Sequence, residues 1–166
     1  CRHFLEDYGL DVKVARYHNV YGPNGTYDGG REKAPAALCR KIILAKNKNL
    51  DLIDVWGDGK QTRSFLYIDD CVDATLQFFH SDHHGPINIG SEEKVSINEM
   101  VAKIEKICEK KFKKNYQLDK PKGVRGRTSD NTLIRKLLNW KPKYNLFEGL
   151  KKTYHWIEED IKKKNK

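Results

Sequence analysis

Apolar positions along the chain switch between the period of a strand and the period of a helix. Val12, Val14 and Tyr17 alternate as a strand that Gly22-Pro23 brings to an end. After a glycine- and asparagine-rich loop, Ala37, Leu38, Ile42 and Ala45 mark a helix of about 12 residues. Its first turn is expected to carry Arg31, Glu32 and Lys33, with Pro35 near its start. Residues 50–56 alternate as a strand that stops at Gly57-Asp58-Gly59, and residues 64–68 form a second, shorter one. Asp69 is expected to cap a helix that buries Val72, Leu76 and Phe79. Another strand covers 86–89 and closes at Gly90. Ser96 and Glu99 form a capping box, with Val95 and Met100 as its staple, ahead of a helix burying Ile97, Met100, Val101, Ile104 and Ile107. Residues 116–118 suit an edge strand. Ser129 is expected to cap a helix holding Leu133, Ile134, Leu137 and Leu138, which Pro142 stops. Phe147, Leu150, Tyr154, Ile157 and Ile161 form the seam of a terminal amphipathic helix. The pattern is α/β in one unit, 1–166, with no internal repeat and no long linker.

At 166 residues the chain can bury a core. No stretch approaches 18 apolar residues, and no signal peptide is recognisable, so neither a membrane span nor export is expected. Cys1, Cys39, Cys71 and Cys108 are far apart, with no Cys-x-x-Cys and no histidines at ligand spacing. Reduced thiols in a cytoplasmic protein are expected, and no metal. The net charge of +9 raises the question of nucleic acid. Its distribution argues against that partner. Lysines crowd into 103–122, where in the helix they alternate with Glu105 and Glu109 as on a solvated face, and into the final Lys162-Lys163-Lys164-Asn165-Lys166. No aromatics interleave with them as a base-stacking surface would need.

Chemistry concentrates where the first strand meets the following helix. Arg16-Tyr17-His18-Asn19-Val20-Tyr21-Gly22-Pro23 leads through Gly29-Gly30-Arg31-Glu32-Lys33-Ala34-Pro35 to the helix start. Strand, glycine loop and helix N-terminus together form an anion-binding corner, with backbone N–H groups and two cationic side chains turned outward. An ordinary surface loop with scattered charges fits the same spacing.

Four blocks carry a resemblance. Arg-Tyr-x-Asn-Val-Tyr-Gly-Pro resembles the strand-end signature of extended short-chain dehydrogenase/reductases acting on nucleotide sugars. The Gly29–Pro35 block, Trp56-Gly57-Asp58-Gly59-Lys60-Gln61-Thr62-Arg63-Ser64-Phe65 and Gly123-Val124-Arg125-Gly126-Arg127 are similar to those of the GDP-mannose 3,5-epimerase family. The likeness runs from about Cys1 to Ile161. It implies the C-terminal part of an NAD(P)-binding Rossmann-type enzyme: the end of its sheet plus the smaller substrate-binding region. The N-terminal dinucleotide-binding half is expected to be absent. Gly57-Asp58-Gly59 supplies two glycines of a dinucleotide fingerprint, not three. Tyr8, Tyr17 and Tyr21 are followed four residues on by Val12, Tyr21 and Gly25, not by lysine. The chain by itself is therefore expected to be inactive.

The reaction that the resemblance implies turns GDP-mannose into GDP-L-galactose, a step of ascorbate biosynthesis. Hydride leaves C4 for bound NAD, the resulting ketone acidifies C3 and C5, and protons are removed and returned before the hydride goes back. Lys33 matches the catalytic acid; Arg31 and a helix N-terminus beside it suit a group that gives up a proton. Asn19, Glu32, Lys33, Ala34, Lys41, Gln61, Thr62, Arg63 and Arg127 match substrate-binding positions, Arg63 and Arg127 as diphosphate ligands. Arg125 is the rival of Arg127. His18 and Tyr17, adjacent to Asn19, fit a contact to the nicotinamide or a packing role equally well. Asn24 and Tyr27 depart from the family's loop. A homodimer in the cytoplasm is implied for the full-length enzyme. A related 4-epimerase, a 4,6-dehydratase or a non-enzymatic anion-binding module are the alternatives.

Overall fold

In the computed structural model, which describes residues 2–120 and 123–164, short parallel strands alternate with helices around two apolar clusters. The order is α1 (Arg2–Tyr8), β1 (Ala15–Tyr17), β2 (Val20–Tyr21), α2 (Ala34–Asn47), β3 (Leu52–Trp56), β4 (Thr62–Arg63), β5 (Leu66–Tyr67) and α3 (Ile68–Phe79). Then come β6 (Ile87–Ile89), β7 (Val95–Ser96), α4 (Ile97–Cys108), β8 (Lys113–Gln117), β9 (Gly126–Arg127), α5 (Thr132–Leu138) and α6 (Leu146–Lys164). Parallel pairs join β1 to β6, β2 to β5 and β3 to β8, while β4 lies between antiparallel β7 and parallel β9. Parallel strands need crossover connections, and α2, α3 and α4 supply them. Cys1, 121–122 and 165–166, parts of the thiol and lysine-rich readings, lie outside the described residues.

The larger cluster is the space between β3 and the three helices α2, α4 and α6, filled by Ile42, Ile43, Val55, Met100, Ile104, Leu150 and Ile157. The smaller one lies under β1 and β6, where Ala74 and Phe78 of α3 meet Ile134 and Trp140. Cys39, Cys71 and Cys108 are buried free thiols. α4 begins as its sequence dictates: the Ser96 hydroxyl accepts the Glu99 N–H, and the Glu99 carboxylate accepts the Ser96 N–H. The seam of α6 is also as read, except that Phe147 is 36% exposed.

Several expectations are corrected. α2 starts at Ala34 with Lys33 as its N-cap residue, so Arg31 and Glu32 precede the helix and do not form its first turn. Pro35 sits in that first turn, where its missing N–H costs nothing. Of residues 64–68 only Leu66 and Tyr67 form a strand, β5, Ile68 opens α3, and Asp69 lies inside α3 behind Tyr67, which occupies the N-cap. Asn131, not Ser129, precedes α5. The clearest error is the phase of α3. Val72, Leu76 and Phe79 are 49, 56 and 65% exposed, whereas Asp70, Cys71, Ala74 and Phe78 face inward. Asp70 decides that phase. Its carboxylate, 1% exposed, accepts the backbone N–H groups of Lys143 and Tyr144 and so anchors the turn before α6.

Candidate substrate site

Three chain segments that are far apart in sequence enclose one cavity of about 370 Å³. The first is α2 and the residues leading into it. Gly30, Glu32 and Lys33 stand at the rim, and Ala34, Ala37, Leu38 and Lys41 follow at helical spacing down one face. The second runs from the end of β3 to just beyond β4 and contributes Trp56, Gln61, Arg63 and Phe65, with Ile97 of α4 behind them. The third is Asn19, in the turn between β1 and β2. Its φ of +48° is a left-handed conformation that asparagine tolerates better than most side chains. Its amide nitrogen donates to the Ser64 carbonyl at 3.0 Å, tying that turn to the segment after β4.

Polar groups are distributed unevenly around the wall. Glu32 Oε2 and Gln61 Oε1 are buried acceptors with no hydrogen-bond partner among the described residues. Gln61 is oriented by its other amide atom, which donates to the Trp56 carbonyl at 2.9 Å. Lys41 Nζ donates to the Asp54 carbonyl at 3.2 Å and lies 5.3 Å from the centroid of the half-exposed Trp56 ring. Burial of that ammonium pushes its pKa below the usual lysine range, against the opposing pull of Asp54 and Glu32 and with a small push from Arg40. An orphan acceptor costs free energy in the empty fold, which a ligand carrying O–H and N–H donors recovers.

Arg63 and Arg127 are register partners across the parallel β4–β9 ladder, as are Thr62 and Gly126. The two guanidinium groups therefore start from adjacent positions on one face. Arg63 lines the cavity; Arg127 and Thr62 stand outside its immediate wall. Arg63 Nη1 donates to the Thr62 carbonyl at 2.7 Å. The strand that carries Arg127 is held by Ser64, which is fully buried: its Oγ accepts the Ser129 N–H and lies 3.4 Å from His18 Nδ1. His18 is also outside the wall. Burial lowers its pKa, and the nearby Arg127 charge lowers it further.

Of the nine substrate positions expected from sequence, the fold gathers Asn19, Glu32, Lys33, Ala34, Lys41, Gln61 and Arg63 around the cavity. Trp56, Phe65 and Ile97 were not singled out, although the exposed aromatic ending β3 was a visible signal. Tyr116 and Lys120 do have the Tyr-x-x-x-Lys spacing, but on the end of β8 and the turn after it, with Tyr116 donating to Asn98. A spacing of four puts two side chains on one face only in a helix, and this segment is strand and turn.

Residues 1–90 match the NAD dependent epimerase/dehydratase family. This chain belongs to that family. Over 163 residues it is 49% identical to GDP-mannose 3,5-epimerase of Arabidopsis thaliana, covering 98% of this chain and 42% of that protein. A probable GDP-L-fucose synthase of Oryza sativa subsp. japonica is 32% identical, with 97% of this chain and 49% of that protein covered. Among solved structures, UDP-glucose 4-epimerase of Thermotoga maritima with UDP-glucose superposes with a TM-score of 0.85 at 28% identity, covering 96% of this chain and 50% of that one. UDP-glucuronic acid 4-epimerase of Bacillus cereus in complex with NAD gives 0.79 at 28% identity, covering 96% and 47%. This family member thus spans about half the length of the relatives it matches.

Proposed function

We propose that the chain forms the substrate-holding part of an NAD-dependent nucleotide-sugar epimerase that interconverts GDP-mannose and GDP-L-galactose through a 4-keto sugar. The observation that carries this reading is the cavity in which two orphan acceptors, Glu32 Oε2 and Gln61 Oε1, share a wall with Arg63. A nucleoside diphosphate sugar has the matching groups: hydroxyl and base N–H donors for the acceptors, and a diphosphate for the guanidinium. Arg127, one strand over, gives that diphosphate a second cation.

NAD would supply the removal of hydride from C4 and its return. The fit to this chain is partial. Its sequence holds no three-glycine phosphate cradle, and only Tyr17 and His18, at the carboxyl end of β1, are placed to meet the nicotinamide. Most of the cofactor's contacts are therefore assigned to the remainder of a longer polypeptide. What this chain's residues do is hold the nucleotide sugar and move a proton. Glu32 accepts from sugar hydroxyls and orients the ring, Asn19 and Lys41 flank it, and Lys33 Nζ at the rim delivers a proton to carbon beside the ketone. Interactions with the distant diphosphate hold the reacting carbons near the ammonium. To this reading we add a homodimer, a cytoplasmic setting and a place in ascorbate biosynthesis, on the strength of the likeness to GDP-mannose 3,5-epimerases.

The test is Lys33→Met in the longer polypeptide. It keeps the apolar stem and removes the transferable proton. GDP-mannose binding and transient oxidation at C4 are expected to survive. Proton exchange at C3 and C5 in deuterated water, followed by NMR, is expected to slow by about 10²-fold. Exchange at the wild-type rate would remove Lys33 from the mechanism, whereas no exchange at C3 and C5 in the parent enzyme would favour a C4-only epimerase, which needs no such acid.

A further inference from the structure

Residues 22–33 join β2 to α2 without regular structure, and ordering such a segment costs backbone entropy at every residue. Two adjacent side chains hold it. Tyr27, 8% exposed, donates its hydroxyl proton to Asp160 Oδ2 at 2.5 Å and accepts from Lys164 Nζ at 2.9 Å. Lys164 and Asp160 close the triangle at 2.6 Å. The Tyr27 ring meets Trp156 edge to face at 5.6 Å, and the Lys164 ammonium lies 4.9 Å from its centroid. Trp156, Asp160 and Lys164 recur every four residues, a separate stripe of α6 from the core seam at Leu150, Tyr154, Ile157 and Ile161. Asp28 is the second anchor: it accepts the Gly29 N–H and pairs with Arg40 of α2 at 2.9 Å.

Immediately beyond these anchors the chain is loosely held. Gly29 and Gly30 have φ of +92° and +83°, and no atom lies within 4 Å of where a Cβ would stand on either. They act as a joint in open space, leading directly into Arg31, Glu32 and Lys33. The Asp28–Arg40 pair is largely solvated and contributes little. The Lys164–Asp160 pair is as solvated, so the stronger tie is the contact of the buried Tyr27 with the Asp160 carboxylate.

We infer that the last two turns of α6 are a latch on the glycine loop, with Tyr27 as the positioning residue that sets how Glu32 and Lys33 approach the cavity. The catalytic bearing of the latch rests on the role proposed for Lys33, but its geometry does not.

Hydrogen exchange read by mass spectrometry on this chain tests the latch without any ligand, so its outcome is independent of whether Lys33 is catalytic. Tyr27→Phe keeps the ring and its packing on Trp156 and removes only the hydroxyl. Exchange across residues 24–32 is expected to accelerate by about tenfold, while amides of α2 and α4 stay at their wild-type rates. Asp160→Asn keeps an acceptor for the hydroxyl and is expected to disturb the loop less than Asp160→Ala. Trypsin cleavage after Arg31 should rise in the same order. Unchanged loop exchange in Tyr27→Phe, or a rise shared equally by the core helices, would overturn the proposal.

Discussion

Arg63 and Arg127 differ in how far the fold commits them to the cavity, and that difference is measurable. Arg63 lines the wall, while Arg127 is its exposed ladder partner. In the longer polypeptide, Arg63→Ala is expected to weaken GDP-mannose binding by about 2 kcal/mol and Arg127→Ala by about 1 kcal/mol, because a guanidinium at a solvated rim is screened. Calorimetry with GDP-mannose and with NAD separates the cases, since NAD binding should be untouched; equal losses for both ligands would make these arginines structural. His18 gives a second handle at this scale. Its folded pKa lies below the ordinary value near 6.5, so the unfolded chain binds the proton more readily. Stability is therefore full above that value and falls as pH drops through 6.5 toward the folded pKa. Denaturant midpoints at pH 7 and pH 5 are expected to differ less in His18→Gln than in the parent chain.

Elements are where local preference and packing come into conflict. Gly149 sits inside α6, where intrinsic propensity favours alanine by about 1 kcal/mol. A Cβ there would stand 2.2 Å from Tyr21 Oη and 2.9 Å from the Tyr67 ring. Both rings are buried, and Tyr21 Oη donates to the Leu146 carbonyl at 3.3 Å, so neither can yield cheaply. Overpacking costs about 1–3 kcal/mol and should win. Gly149→Ala is expected to lower the melting temperature despite its better helix propensity. α3 shows the opposite situation, a helix apolar on two sides. Periodicity alone could not choose between the faces of Cys71–Ala74–Phe78 and Val72–Leu76–Phe79, and Asp70 chose by accepting two N–H groups from a turn over 70 residues away in sequence.

For the whole molecule, the uncovered face of α3 is the main consequence. Tyr17, Val72, Leu76 and Phe79 are each about half exposed or more, Tyr17 reaches Thr75 on α3 by a 3.2 Å hydrogen bond, and β1 pairs only with β6 among the described residues. With this chain spanning 42% of its Arabidopsis relative, a dinucleotide-binding half added in trans is the expected cover for that face and that strand edge. Incubated alone with NAD and GDP-mannose, the chain should give no turnover. Leu76→Lys with Phe79→Lys should abolish co-purification with the added half and leave the chain folded by circular dichroism; retained co-purification would place the seam elsewhere.

Period, caps and turn residues determined the α/β alternation, the start of α4 at Ser96 and the seam of α6, because each depends on residues within a few positions of one another. The signature blocks likewise named six residues that the cavity gathers, and the resemblance added Lys41 two turns into α2. Tertiary structure alone decided the phase of α3, the shift of Arg31 and Glu32 out of the first turn of α2, and the inclusion of Trp56, Phe65 and Ile97 in the wall. It also decided that Tyr27 should be tied to Asp160 and Lys164 across more than 130 residues. Such contacts depend on which buried polar group finds its partner, and that is settled only when distant segments pack and water is excluded.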